Sequence, residues 1–198
     1  MLTGLPLLVA VTLASQGADP QRPGPPPPHP TSVAAARAAQ PPVIDGRDDD
    51  VVWRDAQPIT GFQEWRPSEG GPPKLPTEAK VAYDAGALYV FVRAFDPHPD
   101  SIITVLARRD YFTPSDMIWL FLDSYHDRRT GYEFGVNPSG VKLDAQIYND
   151  GNEDFAWDAV WEVATRVDSL GWTAELDPAV AAPLRAGAQP HVRPDGRP

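Results

Sequence analysis

The chain has 198 residues, a formal net charge of −10 and no cysteine. The acidic balance argues against a nucleic-acid partner, which needs a basic face for phosphates, and the lack of cysteine excludes disulfides, thiolate metal sites and a cysteine nucleophile. The 24 prolines are concentrated at the two ends, which leaves room between them for one domain of about 100–150 residues.

The first element is an apolar segment, residues 2–14, which is too short for an ordinary membrane-spanning helix. Small residues, among them Ala14 and Ala18, follow it. The pattern predicts a secretory signal peptide over residues 1–18, although no Lys or Arg precedes the apolar run. We therefore expect an exported protein that is periplasmic, associated with the outer membrane, or secreted.

Residues 19–41 are rich in Pro and Ala and include four consecutive prolines at 25–28. This composition favours polyproline II and lacks an apolar period. The segment is therefore predicted to be a linker that separates the signal peptide from a folded domain.

From residue 42 onward, short runs rich in Val, Tyr, Phe and Trp alternate with turn residues. A turn at residues 84–86 indicates a hairpin, and the run that follows it is apolar on both faces, as is typical of a central strand covered on both sides. Only residues 99–109 have a weak helical pattern. The predicted strands cover residues 77–84, 87–95, 116–123, 131–137, 141–148, 160–167 and 171–176.

This spacing predicts an all-β domain over residues 42–176, a β-sandwich of immunoglobulin-like or jelly-roll-like type with disordered Pro-rich ends. In the run 141–148, apolar residues alternate with Lys142, Asp144 and Gln146. That alternation predicts a strand with its polar face in solvent.

Several motifs resemble the family 9 carbohydrate-binding modules and occur in the same order. They are Val43-Ile44-Asp45-Gly46 with Asp49 and Val52-Trp53, Tyr83-Asp84 with Leu88-Tyr89-Val90, Ser115-Asp116 with Leu120-Phe121-Leu122-Asp123, Asn137-Pro138-Ser139-Gly140-Val141, Trp157-Asp158-Ala159-Val160-Trp161, and Gly171-Trp172-Thr173-Ala174-Glu175. The last three are similar to one branch of the family, in which the module opens bacterial envelope proteins that continue into a barrel-like C-terminal region.

The resemblance implies a β-sandwich that holds a sugar between Trp rings and binds calcium through carboxylates and carbonyls. It also implies association with the outer membrane through a C-terminal region. This chain departs from the family at one point, because the Trp expected just before Asp116 is absent. Thr113 and Pro114 stand there, with Tyr111 and Phe112 nearby.

Sugar sites combine an aromatic face with polar groups that hydrogen-bond hydroxyls. The aromatic candidates are Tyr111, Trp119, Trp157 and Trp161, and the polar candidates are Arg109, Asn137 and Gln146. The alternative for each Trp is a place in the core.

Calcium prefers six to eight oxygen ligands, and the loop 149–154 offers Asp150, Asn152 and Asp154. A second acidic cluster lies at residues 45–50. Neither cluster has EF-hand spacing, and a solvated turn is the alternative for both. The family resemblance is what favours calcium.

Motifs of catalysis are scarce: the sequence contains no Gly-x-Ser-x-Gly, Walker loop or His-Glu-x-x-His. A Ser-x-x-Lys at residues 139–142 falls in a turn that enters a strand, and His126 belongs to a polar turn. We therefore expect a binding module that is accessory to polysaccharide breakdown or envelope attachment. The alternatives are an interaction domain without a sugar ligand, and a fragment of a glycoside hydrolase whose catalytic part is absent.

After Glu175 the strand pattern stops, and residues 177–198 consist mainly of Pro, Ala, Gly and Arg. Codons can be chosen so that another reading frame of this tail gives Ile-Pro-Leu-Ser-Gln-Leu-Arg-Tyr, a segment like that of the related envelope proteins. We therefore predict a disordered tail that arose by a frameshift near Leu176. The nucleotide sequence of the gene tests this prediction.

Overall fold

The alternation of β-branched and aromatic residues produces strands in the computed structural model, which describes residues 33–67 and 69–178. The strands are β1 (Ala36–Arg37), β2 (Thr77–Tyr83), β3 (Leu88–Phe95), β4 (Ile118–Leu122), β5 (Gly131–Val136), β6 (Lys142–Tyr148), β7 (Asn152–Asp154), β8 (Glu162–Asp168) and β9 (Gly171–Asp177). One short helix, α1, covers Val51–Asp55, and a single 3-10 turn covers Pro99–Ser101. In the described ranges, no helix is long and apolar enough to cross a membrane.

The strands form a five-stranded sheet in the order β1-β2-β3-β9-β8 and a four-stranded sheet in the order β4-β5-β6-β7. Every pairing is antiparallel except the one between β1 and β2. Residues from both sheets, such as Val90, Leu120, Phe134 and Ala174, share one buried core. The predicted β-sandwich is therefore confirmed.

Strand β3 lies in the middle of the first sheet, and both of its faces are buried, as its sequence predicts. Val90 faces the main core between the sheets. Phe91 faces the opposite side, where it meets Trp53 of α1 in a second, smaller cluster with ring centroids 5.8 Å apart.

The domain begins earlier than the sequence predicts. Ala36 and Arg37 of the predicted linker pair in parallel with Ala82 and Tyr83, and Ala38 is buried in the smaller cluster. Small alanine side chains carry no period-two pattern, so the sequence gives no sign of this backbone pairing before residue 42. The predicted signal peptide and the tail from residue 179 lie outside the described residues.

The helix predicted over residues 99–109 forms only at its start, as the 3-10 turn Pro99–Ser101. The β-branched run from Ile102 to Val105 disfavours helix. Instead, the N–H of Ile103 donates to the carboxylate of Asp116 at 2.9 Å, and the carbonyl of Ile103 accepts a hydrogen bond from the Ser115 hydroxyl at 2.6 Å. The segment therefore crosses from β3 to β4 as an irregular loop.

In strand β6, Gln146 is exposed as its sequence predicts, but Asp144 is not. Asp144 pairs with Phe134 across β5 and β6, so it points into the sandwich, where it is 0% exposed. Leu143 faces the outer side of the sheet, where it is buried as well. The interior accepts the carboxylate because several hydrogen-bond donors surround it there.

Asp177, at the end of β9, carries a partly buried carboxylate in acidic surroundings. It lies directly across from Glu162 of β8, and its buried Oδ1 has no hydrogen-bond partner among the described residues. Burial, followed by repulsion from Glu162 and Asp84, raises the pKa of Asp177 above 3.8.

Asp177→Asn is expected to stabilise the domain by about 0.5–1 kcal/mol at pH 7, because it removes a like-charge pair and a partly buried charge. A raised folded-state pKa means that ionisation weakens the fold as pH rises. The gain should therefore be complete above the raised pKa of Asp177 and vanish below pH 3.8, its unfolded value. Urea unfolding at pH 7 and pH 3.5 measures this, and an equal gain at both values would contradict it.

Candidate functional site

Three aromatic side chains meet on the outer face of the four-stranded sheet, and we call Phe112, Trp119 and Phe155 the aromatic cluster. The rings of Phe112 and Trp119 are stacked, with centroids 6.1 Å apart and an angle of 29°. Phe155 meets Phe112 edge to face at 5.2 Å. Phe112 is 51% exposed and the adjacent Tyr111 is 66% exposed, so the cluster offers aromatic surface to solvent.

Trp119 is held flat on the sheet by the glycine opposite it. Alternation along β4 turns Trp119 outward while Leu120 turns into the core. Trp119 pairs with Gly135 of β5, and a Cβ on Gly135 would overlap the indole ring. A glycine inside a strand marks a close approach of this kind.

Two of the predicted ligand-binding residues, Trp161 and Asn137, lie in the interior. Trp161 is 3% exposed and packs edge to face on Phe134 at 5.2 Å. Asn137 is 0% exposed: its Nδ2 donates to the carbonyl of Val105 at 2.8 Å, and its Oδ1 accepts the N–H of Val141 at 2.9 Å. Neither side chain can reach a ligand on the surface.

Trp157 and Arg109 also serve internal contacts. Trp157 is partly buried and stacks on Tyr132 with ring centroids 4.8 Å apart. The Arg109 guanidinium contacts the carboxylates of Asp144 at 2.6 Å and Asp158 at 2.8 Å. Of the predicted set, Tyr111 and Trp119 are thus the two that lie at or beside the aromatic cluster, while Gln146 is exposed on β6.

The loop predicted to bind calcium is an exposed hairpin turn. Asn149 and Asp150 have positive φ angles of 49° and 63°. Asp154 accepts the N–H of Ala156 at 2.9 Å, and Asn152 donates to the Asn149 carbonyl at 3.4 Å. The N–H of Asp150 also donates to the carbonyl of Arg129 at 3.0 Å, and calcium at Asp150, Asn152 and Asp154 stays a prediction.

A different carboxylate group comes together within the described part of the chain. Oxygen atoms of Asp110, Asp144 and Asp158 lie within 4.8 Å of one another, and burial, with the Asp144 charge nearby, raises the pKa of Asp110. The Arg109 guanidinium already lies among them, with Asp144 and Asp158 both in direct contact. The arrangement therefore does not fit a metal ion, because Arg109 supplies the positive charge.

A cavity of about 380 Å³ opens between the sheets beside β2 and β4. Its walls include Ile102, Ile118 and Trp172, which belong to or pack against the main core. The cavity is also lined by Trp119 of the aromatic cluster and by polar residues such as Gln63 and Asp116, but the apolar core residues in its walls offer no hydrogen-bond partners to sugar hydroxyls. The aromatic cluster is therefore the better candidate for a sugar.

The model of the family described as "Carbohydrate family 9 binding domain-like" matches residues 44–191. The chain belongs to this family. No protein of curated function matches it. This family 9 module is, as that description states, a binding domain.

Three solved structures share the fold of this chain. A family 9 carbohydrate-binding module from Caldicellulosiruptor kristjanssonii in complex with cellotriose is 21% identical, covers 75% of this chain and 67% of that chain, and has a TM-score of 0.52. The module in complex with glucose is also 21% identical, with 76% and 68% coverage and a TM-score of 0.52. A putative carbohydrate-binding protein from Bacteroides uniformis is 12% identical, with 76% and 72% coverage and a TM-score of 0.55.

The sequence prediction missed Phe155 and Gly135 and did not include Phe112 among the ligand-binding residues. Phe112 and Phe155 lie in irregular loops, where no period shows which way a side chain points. Gly135 carried a usable signal, since it stands between Phe134 and Val136 inside a strand of this family 9 module.

Proposed function

We propose that this family 9 module binds carbohydrate at the aromatic cluster. The observation that carries the proposal is the exposed Phe112 ring stacked on Trp119. Aromatic surface of this kind packs against the apolar face of a sugar ring, and nearby polar groups bind its hydroxyls. Phe112 and Tyr111 take the place of the Trp that the family resemblance leads one to expect in this stretch.

A neutral, glucose-based oligosaccharide is the proposed ligand class. Two solved structures of similar fold, both of a family 9 module from Caldicellulosiruptor kristjanssonii, hold cellotriose and glucose. The net charge of −10 disfavours an anionic glycan through long-range repulsion. The aromatic cluster consists of uncharged side chains, so it does not require a charged group on the sugar.

Calorimetric titration with cellotriose tests the proposal. Phe112→Ala is expected to weaken binding about fivefold, which corresponds to about 1 kcal/mol of lost ring contact. Tyr83→Ala is the matched control, because Tyr83 is 40% exposed but lies on the other sheet, and it should bind as the unaltered protein does. Titration with EDTA and with added calcium tests the predicted calcium site in the same experiment.

The absence of binding to cellotriose and to an array of neutral glycans would reject the proposal and favour an interaction domain without a sugar ligand. If Phe112→Ala and Tyr83→Ala lost the same affinity for cellotriose, the ligand would not bind at the aromatic cluster.

We further propose that the module is exported and acts as an accessory to polysaccharide breakdown or to attachment at the bacterial envelope. The apolar segment 2–14 with small residues behind it supports export. Cell fractionation of the expressed gene, with and without residues 1–18, tests this: retention of both forms in the cytoplasm would contradict it.

A further inference from the structure

Two loops carry the outer members of the aromatic cluster. Phe112 lies in the loop between the 3-10 turn and β4, and Phe155 lies in the segment between β7 and β8. We infer that Arg109, anchored on the buried Asp144, is a positioning residue that ties these two loops together and so sets the geometry of the proposed carbohydrate site. That Arg109 matters for binding rests on the proposed function, whereas its link between the two loops rests on its own contacts.

Arg109 lies three residues before Phe112 and contacts both the sheet and the second loop. Its Nε and Nη2 donate to Oδ1 of Asp144 at 3.1 Å and 2.6 Å. Its Nη2 also donates to the carbonyl of Ala159 at 2.6 Å and lies 2.8 Å from the carboxylate of Asp158. One guanidinium thus joins β6 to the segment that follows Phe155.

Asp144 makes the same connection from the side of the sheet. It is 0% exposed, and its Oδ2 accepts the N–H of Ala159 at 2.6 Å, while Oδ1 accepts Nε1–H of Trp161 at 3.2 Å. The backbone N–H of Asp144 donates to Asp110 at 3.2 Å, two residues before Phe112. A residue in a rigid central strand therefore holds both loops.

The physical consequence is preorganisation. Loop ordering on binding costs free energy, and a loop fixed beforehand avoids that cost. Arginine suits this task because its planar group donates several hydrogen bonds in a fixed geometry, which lysine cannot reproduce. The Nε and Nη2 donors of Arg109 face Asp144, Asp158 and Ala159, and these contacts carry the positioning role.

Arg109→Gln and Arg109→Lys test the inference, with Arg93→Gln as the matched control. Arg93 also makes a bidentate ion pair, with Nη1 at 3.1 Å and 3.0 Å from the two oxygens of Asp168, but on the first sheet. We expect Arg109→Gln to weaken cellotriose binding about tenfold, mainly through a less favourable binding entropy. Arg109→Lys should recover only part of this loss, and Arg93→Gln should bind normally.

Hydrogen exchange on the free protein gives a readout that needs no ligand. Arg109→Gln should speed the exchange of amides 110–112 and 155–158 together, and leave β5 and β9 protected as before. Unchanged exchange in either loop would overturn the inference, as would an equal change in Arg93→Gln. If the unaltered protein does not bind cellotriose, the proposed function fails, but the coupled exchange of the two loops still decides whether Arg109 links them.

Discussion

Replacement of Glu175 by alanine is expected to lower the free energy of unfolding by about 3–5 kcal/mol. Glu175 is 0% exposed. One carboxylate oxygen accepts Nε1–H of Trp53 at 2.8 Å, and the other accepts the N–H groups of Asp45 and Gly46 at 3.0 Å and 2.9 Å. Alanine would leave two buried donors and the half-buried N–H of Asp45 without an acceptor, and each buried donor costs about 1–3 kcal/mol before water enters.

Glu175→Gln separates the effect of charge from the effect of the hydrogen bonds. Burial raises the pKa of Glu175 above 4.5, so a neutral amide avoids part of the cost of a buried charge. The amide NH₂ would face the N–H of Trp53, however, and that bond would be lost. We expect a loss of about 1–2 kcal/mol, smaller than for alanine.

Urea unfolding followed by tryptophan fluorescence measures both variants. Glu153→Ala, on the exposed strand β7, is the control and should change stability by less than about 0.5 kcal/mol. If Glu175→Ala were as stable as this control, the Glu175 carboxylate would not be what holds the turn at Asp45 and Gly46 against β9.

The contacts of Glu175 explain why motif order predicted the fold so well. The residues that resemble the family at the start of the domain, Gly46 and Trp53, meet Glu175, a residue of the last motif. Thr173 adds a hydrogen bond to the carbonyl of Gly46 at 2.7 Å. These motifs describe how α1 and its preceding turn attach to β9, and this is information about folding rather than about a ligand.

The candidate site was harder to predict, for a reason that Asp144 illustrates. A polar residue in an alternating strand is normally placed in solvent, yet Asp144 points inward because Arg109, Ala159 and Trp161 meet it there. Those partners come from two distant loops, so no local period contains them. The same loops carry Phe112 and Phe155. The sequence therefore predicted Trp119 as a ligand-binding residue but not these two neighbouring rings.

Gly135→Ala is expected to weaken cellotriose binding at least tenfold while the domain stays folded. Ideal Cβ geometry at Gly135 puts the new methyl group 2.7 Å from Cη2 of Trp119 and closer still to Cζ3. The indole ring must therefore tilt away from the sheet, which breaks its stack with Phe112. The backbone itself accepts alanine, because a strand residue gains about 0.5–1 kcal/mol when glycine is replaced.

A double-mutant cycle with Trp119→Ala distinguishes displacement of the ring from any general damage. Trp119→Ala alone should weaken binding at least as much as Gly135→Ala, because it removes the ring instead of moving it. Once Trp119 is absent, the methyl group at position 135 has nothing to displace, so the double variant should bind as Trp119→Ala does. Gly86→Ala is the matched glycine control, because a Cβ there meets its nearest atom at 3.8 Å. Two outcomes would contradict this prediction: losses of binding free energy that add up in the double variant, or normal binding by Gly135→Ala. Either would mean that the position of the Trp119 ring against Gly135 does not matter for sugar binding.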